Sequence, residues 1–337
     1  MSNYLNLPLI VHTKRSKYFA DLLAEKLRYP VLPVIRKQFS DGELYYKFTI
    51  QNKTSLIGKD VLIVCSMVDD QELLELIRLG LELSELGTRR RVFVIPYLLY
   101  QTMNRASLPG EVVTCKSTVR MLSSISTCGL GNLYLLLDLH TSGIIHYFEK
   151  TQAMELYAQK PLYNAIAKEV DFQNEDVVFG TTDLGRPKWV ETYSNLFGVG
   201  IVLCRAPREL NENSPEIMKE PIGECKGKHV VLYDDIIRSG KTAIAAAENY
   251  LRHGATKVTC VISHFAVTKE SIIQRLEQSP IDKIIITNSH INSQLPAVKL
   301  CKKIRIVDVS CVFVEQIVSI YGSVGPKTSS PFVFALD

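Results

Sequence analysis

The chain has 337 residues, 46% hydrophobic and 22% charged, with a formal net charge of +4. This ordinary globular mixture excludes a disordered, collagen-like or low-complexity protein, and at roughly 100–200 residues per domain the length predicts two domains with cores that need no staples. The positive excess is too mild to argue for nucleic acid and suits a small anionic substrate equally well.

Met1–Ile10 carries no basic segment leading into an apolar one, and no apolar run approaches the roughly 18 residues of a membrane span, so neither a signal peptide nor a membrane partner is expected. Short runs rich in β-branched residues then recur. Val61–Cys65, Val92–Pro96 and Leu133–Leu137 lie in the first half. Val177–Phe179, Gly200–Leu203, His229–Tyr233, Val258–Ser263, Ile284–Thr287 and Ile304–Val307 follow in the second. Their length and composition predict buried strands. Between them, Gln71–Leu86 repeats apolar residues at helical spacing and stops at Gly87, and Ala243–Arg252 runs into His253-Gly254. Strand–helix alternation of this kind predicts an α/β fold of mainly parallel sheets flanked by helices. A fresh helix-then-strand series begins near Gln152–Lys160, which divides the chain into 1–155 and 156–310, with 311–337 expected to rejoin the first part.

Eight cysteines are scattered with no CxxC pair, which argues against a zinc ribbon or a thioredoxin-like motif and for a reducing, cytoplasmic setting.

In such sheets the ligand lies beyond the carboxyl ends of the strands. Two strands end there in carboxylates: Leu133–Leu137 leads to Asp138-Leu139-His140, and Val230–Tyr233 leads to Asp234-Asp235 and the turn Arg238-Ser239-Gly240-Lys241-Thr242. A small-residue turn that opens a helix presents backbone N–H groups to an anion. Ser239 and Thr242 add hydroxyls, Lys241 adds charge, and Asp234 and Asp235 can accept from vicinal sugar hydroxyls. Ser-Gly-Lys-Thr matches a Walker A motif only weakly, because position 235 is Asp where that motif needs its first glycine.

Paired aspartates before such a turn form the pyrophosphate-binding loop of phosphoribosyltransferase-type folds. With Phe39–Glu43, Val94–Tyr100, Asp138–Thr141, Thr182–Gly185 and Ile306–Ser310 in this order and spacing, the chain resembles the ribose-phosphate pyrophosphokinase (PRPP synthetase) family from about Leu9 to Val333. The resemblance implies two phosphoribosyltransferase-type domains and transfer of pyrophosphate from Mg·ATP to ribose 5-phosphate, giving PRPP and AMP. It implies that Phe39 stacks on adenine with Asp41 and Glu43 at its polar edge. His140 and Asp183 would meet the Mg²⁺–triphosphate. Asp234 and Asp235 would hold the ribose, and Ser239, Gly240, Lys241 and Thr242 its phosphate. It further implies a homo-oligomer, dimer or hexamer, in which Phe39–Glu43 serves a neighbour's site.

The resemblance thins on the ATP side. Thr102 and Met103 occupy the positions of an Arg and a Gln that grip ATP phosphates; Arg105 is the nearest substitute. Cys204 and Ala206 fall where a catalytic Lys and Arg are expected, leaving Arg205 and Arg208 as replacements from adjacent positions. Arg238 stands in place of an acid, and Trp189 in place of a base. One arginine finger can be worth about 10³–10⁵ in rate. The sequence therefore allows a divergent synthetase, a catalytically impaired paralogue that binds ribose phosphate or nucleotide and regulates or assembles with an active subunit, or a phosphoribosyltransferase-like enzyme with an altered reaction.

Overall fold

The computed structural model describes residues 7–182, 187–204 and 220–322. Strand β1 (Leu9–His12) leads through helix α1 (Lys17–Leu27) to an antiparallel hairpin, β2 (Val34–Gln38) and β3 (Leu44–Phe48). Then come β4 (Asp60–Val64), α2 (Asp70–Glu85), β5 (Arg90–Ile95), α3 (Thr114–Ser123), β6 (Asn132–Leu137) and β7 (Gln152–Leu156). The hairpin apart, these strands pair in parallel as a five-stranded sheet, β1-β4-β5-β6-β7. Helix α4 (Gln159–Glu169) precedes β8 (Val177–Thr181), α5 (Pro187–Phe197), β9 (Gly200–Val202), β10 (His229–Ile237), α6 (Lys241–Arg252) and β11 (Lys257–Phe265). The chain continues through α7 (Glu270–Gln278), β12 (Lys283–Thr287), α8 (Pro296–Leu300), β13 (Ile304–Val307) and α9 (Ser310–Tyr321). Its six strands form a second parallel sheet, β13-β12-β11-β10-β8-β9.

Every residue of β4, β6 and β8 is buried, as expected of parallel strands covered on both faces. Alternate side chains point to opposite faces. Leu62, Val64, Val92 and Leu135 meet a middle layer of Phe19 (α1), Leu162 (α4), Val190 (α5) and Phe313 (α9), which Phe179, Tyr233 and Ile285 of the second sheet close from the other side. Ile63, Phe93 and Leu136 pack outward on α2 and α3. Leu232, Cys260 and Ile284 pack outward on α6 and α7. The sheets thus share one apolar middle layer, and their carboxyl ends meet at its polar margin.

Every strand read from the sequence is present. Four strands were not read: β1, β2, β3 and β7. Most of β2, β3 and β7 is only partly covered, so these elements lack the continuous apolar run that betrays a buried strand. Strand β7 pairs with β6 as the edge of the first sheet, and the helix-then-strand series expected near Gln152–Lys160 begins with α4. Strand β10 also runs beyond Tyr233, because Asp234, Ile236 and Ile237 keep register with Ile262, His264 and Phe265 of β11. Helix α9 packs on α1, with Phe19 and Phe313 edge to face at 5.6 Å. None of the eight cysteines forms a disulfide. Among the described residues no helix is long and apolar enough to cross a membrane.

Candidate active site

The site is built where β6 and β10 end against each other. Asp138, directly after β6, holds φ at +41°, the left-handed region that Asp enters more readily than most residues. Its carboxylate fixes this turn: Oδ1 accepts from the Ala158 amide at 3.0 Å and Oδ2 from the Ser263 hydroxyl at 2.6 Å. The Ser263 hydroxyl also lies 2.9 Å from the Tyr233 phenol, so β6, β10 and β11 are tied by one buried polar chain. The next two amides are held as well. Leu139 donates to Glu155 Oε1 at 3.0 Å, and His140 to Gln101 Oε1 at 2.8 Å. With its backbone fixed, His140 turns its ring toward the second sheet, where Nδ1 lies 2.7 Å from Asp235 Oδ2.

The two aspartates face different partners. Asp234 Oδ2 accepts from the Thr182 hydroxyl at 3.0 Å, and its Oδ1 accepts from the Asp235 amide at 2.9 Å. Asp235 is buried and reaches across to His140. The sequence reading treats them as an equivalent pair at a strand's end. Because both lie within β10, the two-residue period separates them.

Beyond them the chain makes the expected turn. Gly240 has φ +73°, and a Cβ there would come within 3.0 Å of Leu276 Cδ2, so both conformation and space favour glycine. Helix α6 starts at Lys241, and its first turn closes from the Ile244 amide to the Gly240 carbonyl. The amides ahead of it form the positive end of a 12-residue helix. Arg275 fastens the turn through the Ser239 carbonyl.

A cleft of about 740 Å³ opens beside this turn, between residues 97–103 of the first unit and residues 238, 266–268 and 290–292 of the second. Arg238 donates across it to the Thr102 hydroxyl at 3.0 Å. Tyr97 and His290 meet edge to face at 4.7 Å on its wall. Burial raises the Tyr97 phenol pKa, with the Arg238 charge opposing. Burial also pushes the His290 imidazole down to about 3, helped by the charges of His264 and Arg238, so it is neutral at pH 7.

The other predicted residues fare differently. Phe39, Asp41 and Glu43 sit exposed at the β2–β3 tip, where the described hydrogen bonds are local: Phe39 N to Glu43 O at 2.9 Å and Glu43 N to Asp41 Oδ1 at 3.0 Å. None of the three lines the cleft described above. Arg105 is exposed and does not line the cleft. Asp183, Arg205 and Arg208 lie outside the described residues, as does Ala206. Cys204 does not line the cleft. It is fully buried beneath α6, its amide donating to Thr181 Oγ1 at 3.0 Å and its sulfur receiving the Asn249 amide at 3.3 Å. Trp189 stacks on Tyr233 in the middle layer, with ring centroids 5.7 Å apart, so it extends the core where the resemblance expects a base.

Sequence reasoning missed Gln101, Asp138 and Thr182 as positioning residues, and Tyr97 and His290 as cleft walls. Asp138 is marked in the sequence as a carboxylate after an apolar strand, but its role in fixing the turn is not. Nothing in the sequence marked His290, which the second sheet carries to the cleft from far along the chain.

Two family models match. The N-terminal domain of ribose phosphate pyrophosphokinase covers residues 9–125, and the phosphoribosyl synthetase-associated domain covers residues 203–326. The chain is 30% identical to a ribose-phosphate pyrophosphokinase of Fusobacterium nucleatum over 302 residues, 88% of this chain and 90% of that protein. It is 28% identical to one of Helicobacter pylori over 306 residues, 90% of each chain. The crystal structure of phosphoribosylpyrophosphate synthetase from Mycobacterium smegmatis superposes with a TM-score of 0.81, at 21% identity, over 94% of this chain and 99% of that one. The fold is thus that of two phosphoribosyltransferase-type units.

Proposed function

We propose, from the premise that the chain belongs to the ribose-phosphate pyrophosphokinase family, that it binds ribose 5-phosphate and Mg·ATP and forms PRPP and AMP, as a cytoplasmic homo-oligomer. The observation that supports this most is the meeting of two half-sites. His140, just past β6, touches Asp235 within the last part of β10, next to an anion-ready helix start. In the reaction the anomeric hydroxyl oxygen attacks the β-phosphorus of ATP, the bond from that phosphorus to the bridging oxygen of AMP breaks, and the hydroxyl proton is released. Asp234 and Asp235 orient the sugar hydroxyls. The amides and hydroxyls of Ser239, Gly240 and Thr242, with Lys241, hold the 5-phosphate. Arg205 and Arg208 meet the charge on the transferring group. Phe39–Glu43 serves the adenine of a neighbouring copy.

The donor set suits Mg²⁺ that arrives with nucleotide. Asp235 engages Nδ1 of His140, leaving Nε2 as that ring's remaining ligand atom, and Mg²⁺ prefers oxygens and keeps phosphate and water in its shell. His140 and Asp183 would hold it, and bound there it would neutralise charge on the triphosphate.

A second reading, an impaired paralogue that binds ligand and regulates an active subunit, draws on Met103. This residue is 41% exposed, cannot donate a hydrogen bond, and stands where phosphates would be gripped. AMP release from Mg·ATP at saturating ribose 5-phosphate separates the readings. Slow, ribose-dependent release abolished by Arg205→Ala with Arg208→Ala supports the enzyme. No release by protein that binds both ligands supports the paralogue. Brisk turnover that survives both substitutions would mean that the catalytic loop is misassigned.

A further inference from the structure

The cleft is electrostatically lopsided. Arg15, Asp69 and Arg238 are the charged residues that line it. Arg15 and Asp69 form an ion pair with each other, and Asp69 also caps α2 through the Glu72 amide at 3.0 Å. Asp70, nearby, accepts from the Tyr100 phenol at 2.9 Å. Arg238 differs: among the described residues its partners are the Thr102 hydroxyl at 3.0 Å and the Tyr97 phenol, both neutral, and its guanidinium is exposed to the cavity. His290, behind it, is neutral at pH 7. Among the described residues, one cation without an ion-pair partner therefore projects from the second unit onto the 97–103 segment of the first. It sits one residue before Ser239 and so borders the helix-start anion site without belonging to it.

Neither Thr102 nor Met103 can neutralise a phosphate. A planar guanidinium can, through two parallel N–H groups, and its hydrogen bond to Thr102 shows that it already reaches that segment. We infer that Arg238 is the nucleotide-phosphate clamp of this protein, reaching across the cleft from the sugar-phosphate turn to grip a polyphosphate against Thr102. This rests on the function proposed above and deepens it. The cation that holds the donor's phosphates is carried by the loop that holds the acceptor, so the two substrates share one structural element.

Titration calorimetry of the full-length protein with Mg·ATP, inorganic tripolyphosphate and ribose 5-phosphate tests this. Arg238 is exposed, so Arg238→Gln keeps the fold. Its expected effect is about 10–100-fold weaker binding of Mg·ATP and of tripolyphosphate, the range for one charge-assisted hydrogen bond, with ribose 5-phosphate changed by less than about threefold. Adding Thr102→Arg to Arg238→Gln moves the cation to the opposite wall and is expected to recover most of the loss. Arg238→Gln that binds Mg·ATP and tripolyphosphate like wild type overturns the inference. A loss confined to ribose 5-phosphate, or equal for all three ligands, also overturns it, placing Arg238 on the sugar phosphate. Wild-type protein that binds neither Mg·ATP nor ribose 5-phosphate overturns the functional reading itself.

Discussion

The imidazole of His140 and the carboxylate of Asp235 are separated by 95 positions in sequence and by 2.7 Å in space, and their bond spans the two parallel sheets. His140 is about one third exposed while Asp235 is buried, so the pair is only partly screened by solvent. It joins the turn expected to meet metal and triphosphate to the strand expected to meet ribose. A double-mutant cycle with His140→Ala and Asp235→Ala should therefore give a coupling of about 1 kcal/mol in urea unfolding. Strictly additive losses would show that the contact contributes nothing to the joining of the units.

The aspartates should read the sugar rather than the phosphate. Asp234→Ala with Asp235→Ala is expected to weaken ribose 5-phosphate binding by tenfold or more, on the order of two lost hydrogen bonds, with inorganic phosphate changed much less. Calorimetric titration of both ligands checks this, and an equal loss for both would exclude a role in ribose recognition.

Cys204→Lys should damage the fold and leave turnover unrepaired. The thiol lies in the core under α6, against Asn249, so an ammonium there would lose its hydration among buried residues. A loss on the order of 3–5 kcal/mol, typical of an uncompensated buried charge, is expected in chemical denaturation, while Cys204→Ala costs far less. A Cys204→Lys protein as stable as wild type would show that the side chain escapes to the cleft.

His290 should make the protein sensitive to acid. Its folded pKa of about 3 lies below the ordinary 6.5, because burial disfavours the charged ring. Between these values the unfolded chain binds a proton that the folded chain refuses. Stability therefore falls as pH drops below about 6.5 and is unaffected by this group above it. From pH 6.5 to 5 the expected loss is about 2 kcal/mol. His290→Phe keeps a planar ring beside Tyr97 and removes the proton, so its urea midpoint should change less over that interval. An identical pH dependence in both proteins would assign the acid sensitivity to other groups.

Pattern and composition alone were enough for the architecture and for the local chemistry of one half of the candidate site. Runs such as Val61–Cys65 and Leu133–Leu137 are apolar at every position, which only strands covered on both faces require. Asp234–Thr242 combines carboxylates, a glycine turn and a helix start in consecutive residues, so its chemistry is local and legible. The β2–β3 hairpin and β7 were not legible because half-covered strands carry no continuous apolar signal. The remainder depends on contacts between distant segments. The equivalence of Asp234 and Asp235 ended when β10 continued through them and turned one to Thr182 and the other to His140. Cys204, which the resemblance sets where a cation belongs, proved to be core because β9 ends beneath α6. Arg238 looked like a charge in the wrong place until the packing of the two units brought it to Thr102. A side chain's identity is written in the sequence, but which cavity it enters is fixed by where the sheets meet.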